Sequence, residues 1–186
     1  MKRFFDLFMG LAILMLLAIP MLMIAIVVRL TSKGPSLYWS DRVGKNNKIF
    51  KMPKFRSMLI DTPAVATHLL DSPNKYLSPI GSFLRHFSLD ELPQIFSILK
   101  GDMSFVGPRP ALFNQDDLID LRLENDLDKL IPGLTGWAQV NGRDELSIPE
   151  KVMLEVEYMQ KKSFWFDLKI LWLTFLEVMQ GKHVSH

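Results

Sequence analysis

From Leu7 to Val28 the chain runs for 22 residues without a charged side chain, and only Gly10 and Pro20 interrupt its apolar character. As one straight helix the run would be about 33 Å long, enough to cross a hydrocarbon core of about 30 Å. Pro20 complicates a simple crossing. Its ring removes one N–H and clashes with the carbonyl four residues back, which divides the run into Leu7 to Ile19 and a shorter piece from Met21 onward, neither able to span alone. Basic residues stand on both flanks, Lys2 and Arg3 before the run and Arg29 and Lys33 after it, so the positive-inside bias sets no orientation. A re-entrant helix that bends at Pro20 and returns to its own side satisfies both flanks. A spanning helix and a cleaved signal peptide are the other readings, and the second of these is disfavoured by the length of the run and the lack of a small-x-small cleavage site.

The run also accounts for the unusual overall composition. The whole chain is 48% apolar with a mean hydropathy of +0.14, yet without the run about 42% of residues are apolar, an ordinary globular value. The 186 residues suffice for one domain with a sizeable core. The absence of Cys excludes a disulfide-stapled module and any thiolate zinc site.

Charge is distributed unevenly behind a net value of +2. Residues 1–56 carry 10 Lys+Arg and 2 acids, and residues 57–186 carry 12 against 18. Arg42, Lys45, Lys48, Lys51, Lys54 and Arg56 form a basic collar close behind the apolar run, suited to anionic cytoplasmic headgroups. A nucleic-acid surface is disfavoured, because no nucleic-acid-binding motif accompanies the patch and the remainder of the chain is acidic.

Leu37 to Val43 and Lys48 to Met52 flank the turn-forming Gly44-Lys45-Asn46-Asn47 and predict a β-hairpin. Asp61 to Pro79 reads as irregular or weakly helical. A helix starting near Ser88 or Asp90 places Leu92, Ile95, Phe96 and Leu99 on one face and stops at Lys100-Gly101. Ser88 and Glu91 fit a capping box, with Pro93 just beyond the first turn. Asn114 to Leu130 and Pro149 to Lys162 are polar helix candidates. Phe164 to Met179 is a very apolar one, and its Trp165, Phe166 and Trp172 suit either a headgroup interface or packing on the core. The expected fold is α+β and mainly helical, with residues 1–33 as the membrane helix and its basic flank and residues 34–186 as the body.

Asp90 and Glu91 are adjacent carboxylates at the start of a helix, where acids are also favoured by the helix dipole alone. Their neighbours favour chemistry. Arg85 and His86 lie just upstream, and Gly107-Pro108-Arg109-Pro110 follows, a stiff loop that presents a guanidinium able to fork onto phosphate. Carboxylates beside phosphates call for a bridging cation, and Mg²⁺ is the hard ion that joins one or two carboxylates to phosphate oxygens. An Asp carboxylate can also attack phosphorus itself. Lys54 and Arg56 supply two more cations for the same anion, with a surface role as the alternative. The segment from Gly133 to Arg143 has the composition of a ligand-contacting loop and equally that of any complex turn. No dinucleotide fingerprint or Walker A motif occurs, and the four His residues lack metal-ligand spacing.

Lys54-Phe55-Arg56-Ser57-Met58, Arg85 through Ser88-Leu89-Asp90-Glu91-Leu92-Pro93-Gln94, Gly101-Asp102-Met103-Ser104-Phe105-Val106-Gly107-Pro108-Arg109-Pro110 and the loop from Pro132 to Arg143 occur in one order over nearly the whole chain. In these segments the chain resembles the bacterial sugar transferase family, specifically the small monotopic phosphoglycosyl transferases. The resemblance implies an enzyme that moves a sugar-1-phosphate from a UDP-sugar to polyprenyl (undecaprenyl) phosphate and releases UMP, the first membrane step of glycoconjugate assembly. It implies Asp90 as the nucleophile that forms a covalent phosphosugar-aspartate, and Asp90 and Glu91 as the Mg²⁺ site. Arg85, Arg109, Pro108, Pro110, Lys54, Arg56, Gln139 and Arg143 become substrate-binding residues, with the Pro-Arg-Pro turn at the nucleotide end. It further implies a re-entrant helix broken at Pro20, a monotopic protein on the cytoplasmic face of the bacterial inner membrane, and downstream glycosyltransferases as partners; N-acetylated or aminated hexoses are the sugars it suggests.

Two departures stand out. Ile19 replaces the Ser that usually precedes the hinge proline, and Pro53 stands where an aromatic residue often precedes Lys-Phe-Arg. The alternatives are a membrane-anchored interaction protein without turnover and a glycosidase using Asp90 and Glu91 as acid and base. The glycosidase is disfavoured, because neighbours on a helix diverge by about 100° and would not flank one glycosidic bond.

Overall fold

The computed structural model describes residues 1–63, 73–142 and 145–179. Helices dominate: α1 (Lys2–Thr31), α2 (Gly81–His86), α3 (Ile95–Lys100), α4 (Asp116–Glu124), α5 (Ile148–Lys161) and α6 (Phe164–Met179). Two small sheets join them, an antiparallel hairpin of β1 (Leu37–Val43) and β2 (Ile49–Phe55) and a parallel pair of β3 (Ser104–Val106) and β4 (Gly133–Thr135). Leu84, Ile98, Met103, Val106, Tyr158 and Ile170 are fully buried at the centre, with Val28 of α1 among them. Burying one such aliphatic side chain contributes about 1.5–3 kcal/mol, so α1 belongs to the core as well as to its surroundings.

α1 is a single helical element with Pro20 inside it, rather than the two pieces expected from the sequence. Both of its ends are fastened to the same body. At the start, Asp6 is buried and accepts hydrogen bonds from Ser104 Oγ (3.1 Å) and the Phe105 N–H (3.2 Å), while Lys2 Nζ donates to Val106 O at 2.9 Å. At the far end Ser36 Oγ donates to Ala25 O (2.8 Å), and Arg56 Nη2 donates to Ser32 Oγ and O. Between them Gly10 lies where an added Cβ would come within 2.9 Å of Leu99 Cδ2 on α3. The opposite face stays exposed: Phe4, Phe8, Leu11, Met15, Ile19, Leu22, Ile26 and Leu30 recur at steps of three or four residues along the whole helix.

The hairpin forms as expected, but β2 continues past Met52 to Phe55. Pro53 pairs with Trp39 and is fully buried, and the extension carries Lys54 into the strand opposite Tyr38. Asn46 and Asn47 occupy the left-handed region at φ +54° and +56°, which Asn tolerates better than most residues.

The helix expected from Ser88 is two elements. A 3₁₀ segment, Leu89–Gln94, carries Asp90 and Glu91 and leads directly into α3. Ser88 sits at φ +52° and makes no side-chain cap, so the capping box expected with Glu91 does not form. A capping box opens α5 instead, where the Ser147 N–H donates to Glu150 Oε2 at 2.8 Å. α3 ends where predicted, with the N–H of Gly101 (φ +102°) on the Ser97 and Ile98 carbonyls. Phe96 is turned outward, not inward with Ile95, because a six-residue helix entered from a 3₁₀ turn buries only a narrow stripe.

The polar candidate from Asn114 to Leu130 shortens to α4 and a 3₁₀ turn at Leu127–Lys129. α6 satisfies both readings of its sequence on opposite faces. Asp167 and Ile170 are buried, with Phe166 packed between Trp137 and Tyr158, while Trp165, Trp172 and Phe175 are exposed. The β3–β4 pair has no counterpart in the sequence reading. It brings two backbones into contact: a Cβ on Gly107 would lie 2.3 Å from Ile131 O, and one on Gly133 would lie 2.1 Å from the Gly107 nitrogen.

Candidate active site

The 3₁₀ segment Leu89–Gln94 packs against β2, and between them opens a cleft of about 690 Å³. The left-handed turn at Ser88 starts the segment, the Glu91 N–H closes it on Ser88 O at 3.2 Å, and the result is that Asp90 faces inward. Only 7% of Asp90 is exposed, yet it lines the cleft together with Glu91. These carboxylates sit on a short 3₁₀ turn, so the field of a long helix N-terminus contributes little to anion binding there.

Side chains supply the positive charge. Lys54 Nζ and Arg109 Nη2 both donate to Glu91 Oε1, at 2.7 and 3.1 Å. Burial pushes the Asp90 carboxyl above its ordinary range; Lys54 and Arg85 pull it down and Glu91 adds to the rise. Burial likewise lowers Lys54, against the attraction of Glu91 and Asp90, and lowers Arg85, which feels both carboxylates. Arg42 falls to about 10, first through burial and then through repulsion by Arg109. Lys54, Arg85, Arg109 and Arg42 therefore crowd around two carboxylates, an excess of positive charge that a diphosphate would balance.

The structure brings Arg85, Asp90, Glu91, Lys54, Arg109, Pro108, Pro110, Arg56 and Gln139 to the walls of this one cleft. Arg56 does not face the carboxylates. Its Nη2 holds the end of α1 at Ser32, and its Nε and Nη1 are buried without a hydrogen-bond partner among the described residues. Gln139 donates from Nε2 to Leu134 O at 2.9 Å. Arg143 lies outside the described residues. In the glycine-rich loop Gly133 and Gly136 serve the close backbone contact with Gly107, and Gly136, Trp137, Ala138 and Gln139 reach the cleft.

The sequence puts Arg42 in the basic collar, whereas the structure places it in the cleft, with Nε on Ser40 Oγ at 3.0 Å and Nη1 on Pro110 O at 3.2 Å. The signal for it was present in the hairpin. Tyr38, Ser40 and Arg42 alternate onto one face, and the register pairs Tyr38 with Lys54, so a site containing Lys54 contains that face. Lys45, Lys48 and Lys51 remain exposed as a collar. Arg122, Lys151 and Glu155 also line the cleft, and nothing in the polar patterns of α4 and α5 marked them.

The profile of the family described as "Bacterial sugar transferase" matches residues 1–181. The chain is 39% identical to the Bacillus subtilis (strain 168) protein named "Uncharacterized sugar transferase EpsL", over 100% of this chain and 90% of that one. It is 38% identical to the "UDP-glucose:undecaprenyl-phosphate glucose-1-phosphate transferase" of Escherichia coli (strain K12), over 94% of this chain and 39% of that protein. It is also 38% identical to the "Undecaprenyl-phosphate glucose phosphotransferase" of Komagataeibacter xylinus, over 93% of this chain and 35% of that one. The chain thus spans well under half the length of these two relatives. Since the matched region runs from the first helix through α6 and includes every element that lines the cleft, the chain belongs to the bacterial sugar transferase family.

Proposed function

We propose that this protein transfers a hexose-1-phosphate from a UDP-hexose to a polyprenyl phosphate such as undecaprenyl phosphate, releasing UMP, through a covalent intermediate on Asp90. The observation that carries the proposal is an Asp carboxylate buried at the wall of a cation-lined cleft, beside a Glu that two cations hold in place. In the first step an Asp90 oxygen attacks the β-phosphorus. The bond from that phosphorus to the bridging oxygen breaks, and its electron pair leaves on UMP. In the second step an oxygen of polyprenyl phosphate attacks the same phosphorus and releases the Asp90 carboxylate. Arg85 and Arg109 hold phosphate oxygens, and Lys54 fixes Glu91 while keeping Asp90 more ionised than its burial alone would allow.

Mg²⁺ fits the donor set. The described residues offer no cluster of three or more His, Cys, Asp or Glu, and two adjacent carboxylates leave the remaining positions to phosphate oxygens and water, the usual manner of Mg²⁺. Asp90 and Glu91 would hold it, and when bound it neutralises charge developing on the phosphates.

The names of the relatives mention glucose and, in the Salmonella typhimurium and Erwinia amylovora proteins, galactose, which favours plain hexoses over the N-acetylated or aminated hexoses that the family resemblance suggested. The membrane reading rests on α1. Both of its ends are docked on one body, its outer face is a continuous apolar stripe, and Pro20 leaves the Leu16 carbonyl without its helical donor. A monotopic helix that enters and leaves one cytoplasmic leaflet by bending at Pro20 accounts for all three, with the exposed face of α6 at the headgroups.

Purified protein with Mg²⁺, undecaprenyl phosphate and a panel of UDP-sugars should release UMP, most rapidly with UDP-glucose or UDP-galactose, and EDTA should stop it. Protein that binds UDP-hexose yet releases no UMP from any member of the panel would overturn the proposal in favour of an anchored protein that keeps the fold without turnover.

A further inference from the structure

Three successive carbonyls in the loop that carries Arg109 are each taken by a different element. Pro108 O accepts the Gly133 N–H of β4 at 2.8 Å, Arg109 O accepts Arg122 Nη2 of α4 at 2.9 Å, and Pro110 O accepts Arg42 Nη1 of β1 at 3.2 Å. Two of the three residues are prolines with no N–H, so the loop has few backbone donors of its own and depends on outside groups to stay put. Arg122 is itself fixed. Its Nε donates to Glu155 Oε2 at 2.8 Å and its Nη2 to Glu155 Oε1, with the two side chains only 12% and 4% exposed. One nitrogen, Nη2, therefore serves both Glu155 on α5 and the backbone of Arg109. Joining α4 to α5 requires only the carboxylate half of this arrangement. The other half ends on the residue whose guanidinium meets Glu91 Oε1 at 3.1 Å.

We propose that Arg122, held by Glu155, is a positioning residue that fixes the Arg109 carbonyl and thereby aims the Arg109 guanidinium at Glu91 and at the diphosphate of the donor. The identity of that ligand rests on the functional reading above. Arg122 also lines the cleft, so direct contact with the ligand is the rival explanation. The two differ in whether the effect of Arg122 passes through Arg109.

A double-mutant cycle on the full chain in detergent or nanodiscs separates them, with UDP binding measured by calorimetry and a thermal melt on every variant. Arg122→Gln alone strands Glu155 as an uncompensated buried charge and endangers the fold, so the principal variant is Arg122→Gln with Glu155→Gln, which removes both charges. Arg122→Lys is the second, keeping the charge but lacking the planar fork needed to serve two acceptors. Each should weaken UDP binding about tenfold when Arg109 is present and by less than about twofold in an Arg109→Ala background, as coupled residues do. Each should also raise the KM for UDP-hexose while leaving the KM for polyprenyl phosphate unchanged, a split that a general loss of folded protein would not produce. Equal losses of UDP affinity in both backgrounds, or no loss when Arg109 is present, would overturn the positioning role. UMP release by the wild type reports separately on the functional reading, since UDP binding and its coupling can be intact in a protein without turnover.

Discussion

Asp6, Glu155, Asp167 and Asp90 are buried to nearly the same extent, from 3% to 7% exposed, and they are treated in two different ways. Asp6 takes a hydroxyl and a backbone N–H, Glu155 takes two guanidinium nitrogens, and Asp167 takes the Tyr158 hydroxyl at 2.8 Å and the Lys2 ammonium. Asp90 accepts no hydrogen bond from another side chain among the described residues, although Lys54 and Arg85 are near enough to act on its ionisation. The first three are anchors, whose desolvation is offset by fixed donors and whose lone pairs are spoken for. Asp90 is buried with a backbone N–H but no donor side chain fixed on its carboxylate and with its charged form disfavoured, a condition suited to the nucleophilic role proposed for it.

That contrast separates loss of activity from loss of stability. Asp90→Asn should cut UMP release by about 10⁴-fold or more, abolish any trapped labelled adduct and leave the melting temperature unchanged or raised, because it removes a charge that burial disfavours. Substantial residual turnover would remove Asp90 from the role of nucleophile. Asp167→Asn should do the reverse, lowering stability by about 3 kcal/mol in denaturant titrations, with activity tracking the folded fraction. Asp6→Ala strands Ser104 Oγ and the Phe105 N–H and should cost about 1–3 kcal/mol by the same titration. Two stable but inactive variants would erase the distinction between anchor and nucleophile.

The smaller effects sharpen the Asp90 side of the comparison. The proposed nucleophile reacts in its ionised form and its pKa is raised, so kcat/KM should climb with pH along an acid limb displaced upward from that of a free carboxylate. Lys54→Met removes the strongest influence favouring ionisation and should carry that limb upward by about one pH unit; a limb that stays put or moves down would show that a different group titrates. At the bottom of the scale Lys129→Ala, which breaks an exposed pair with Asp126, should leave both the melt and the pH profile where they are.

The sequence made the carboxylates, the Pro-Arg-Pro loop and most of the helices legible, because each depends on local chemistry: adjacent acids beside cations, a ring that fixes φ, an apolar period. What stayed hidden depends on distance in the chain. β3 and β4 are three residues each and pair across the whole of α4, too short to leave an alternation pattern. Arg42 was hidden by its charge, which fits a membrane collar as well as a cleft until the hairpin register is known. Glu155 reads as one more acid on a polar helix, and only its 33-residue separation from Arg122 closing into a buried pair gives it a role. Pro20 is the opposite case, a strong local signal that falls inside a helix running as one element from Lys2 to Thr31.

The inner face of α1 has a practical consequence for anyone wishing to handle the protein in solution. Val28 and Met21 are part of the core, Asp6 and Lys2 brace β3, and Ser32 receives Arg56 just beyond the strand that carries Lys54. A truncation that starts at residue 34 would not release a free catalytic body from a leash. It would take out a wall, wet Ile95, Ile98 and Phe105, and loosen the strand next to Asp90, so the first helix and the cleft must be purified as one piece.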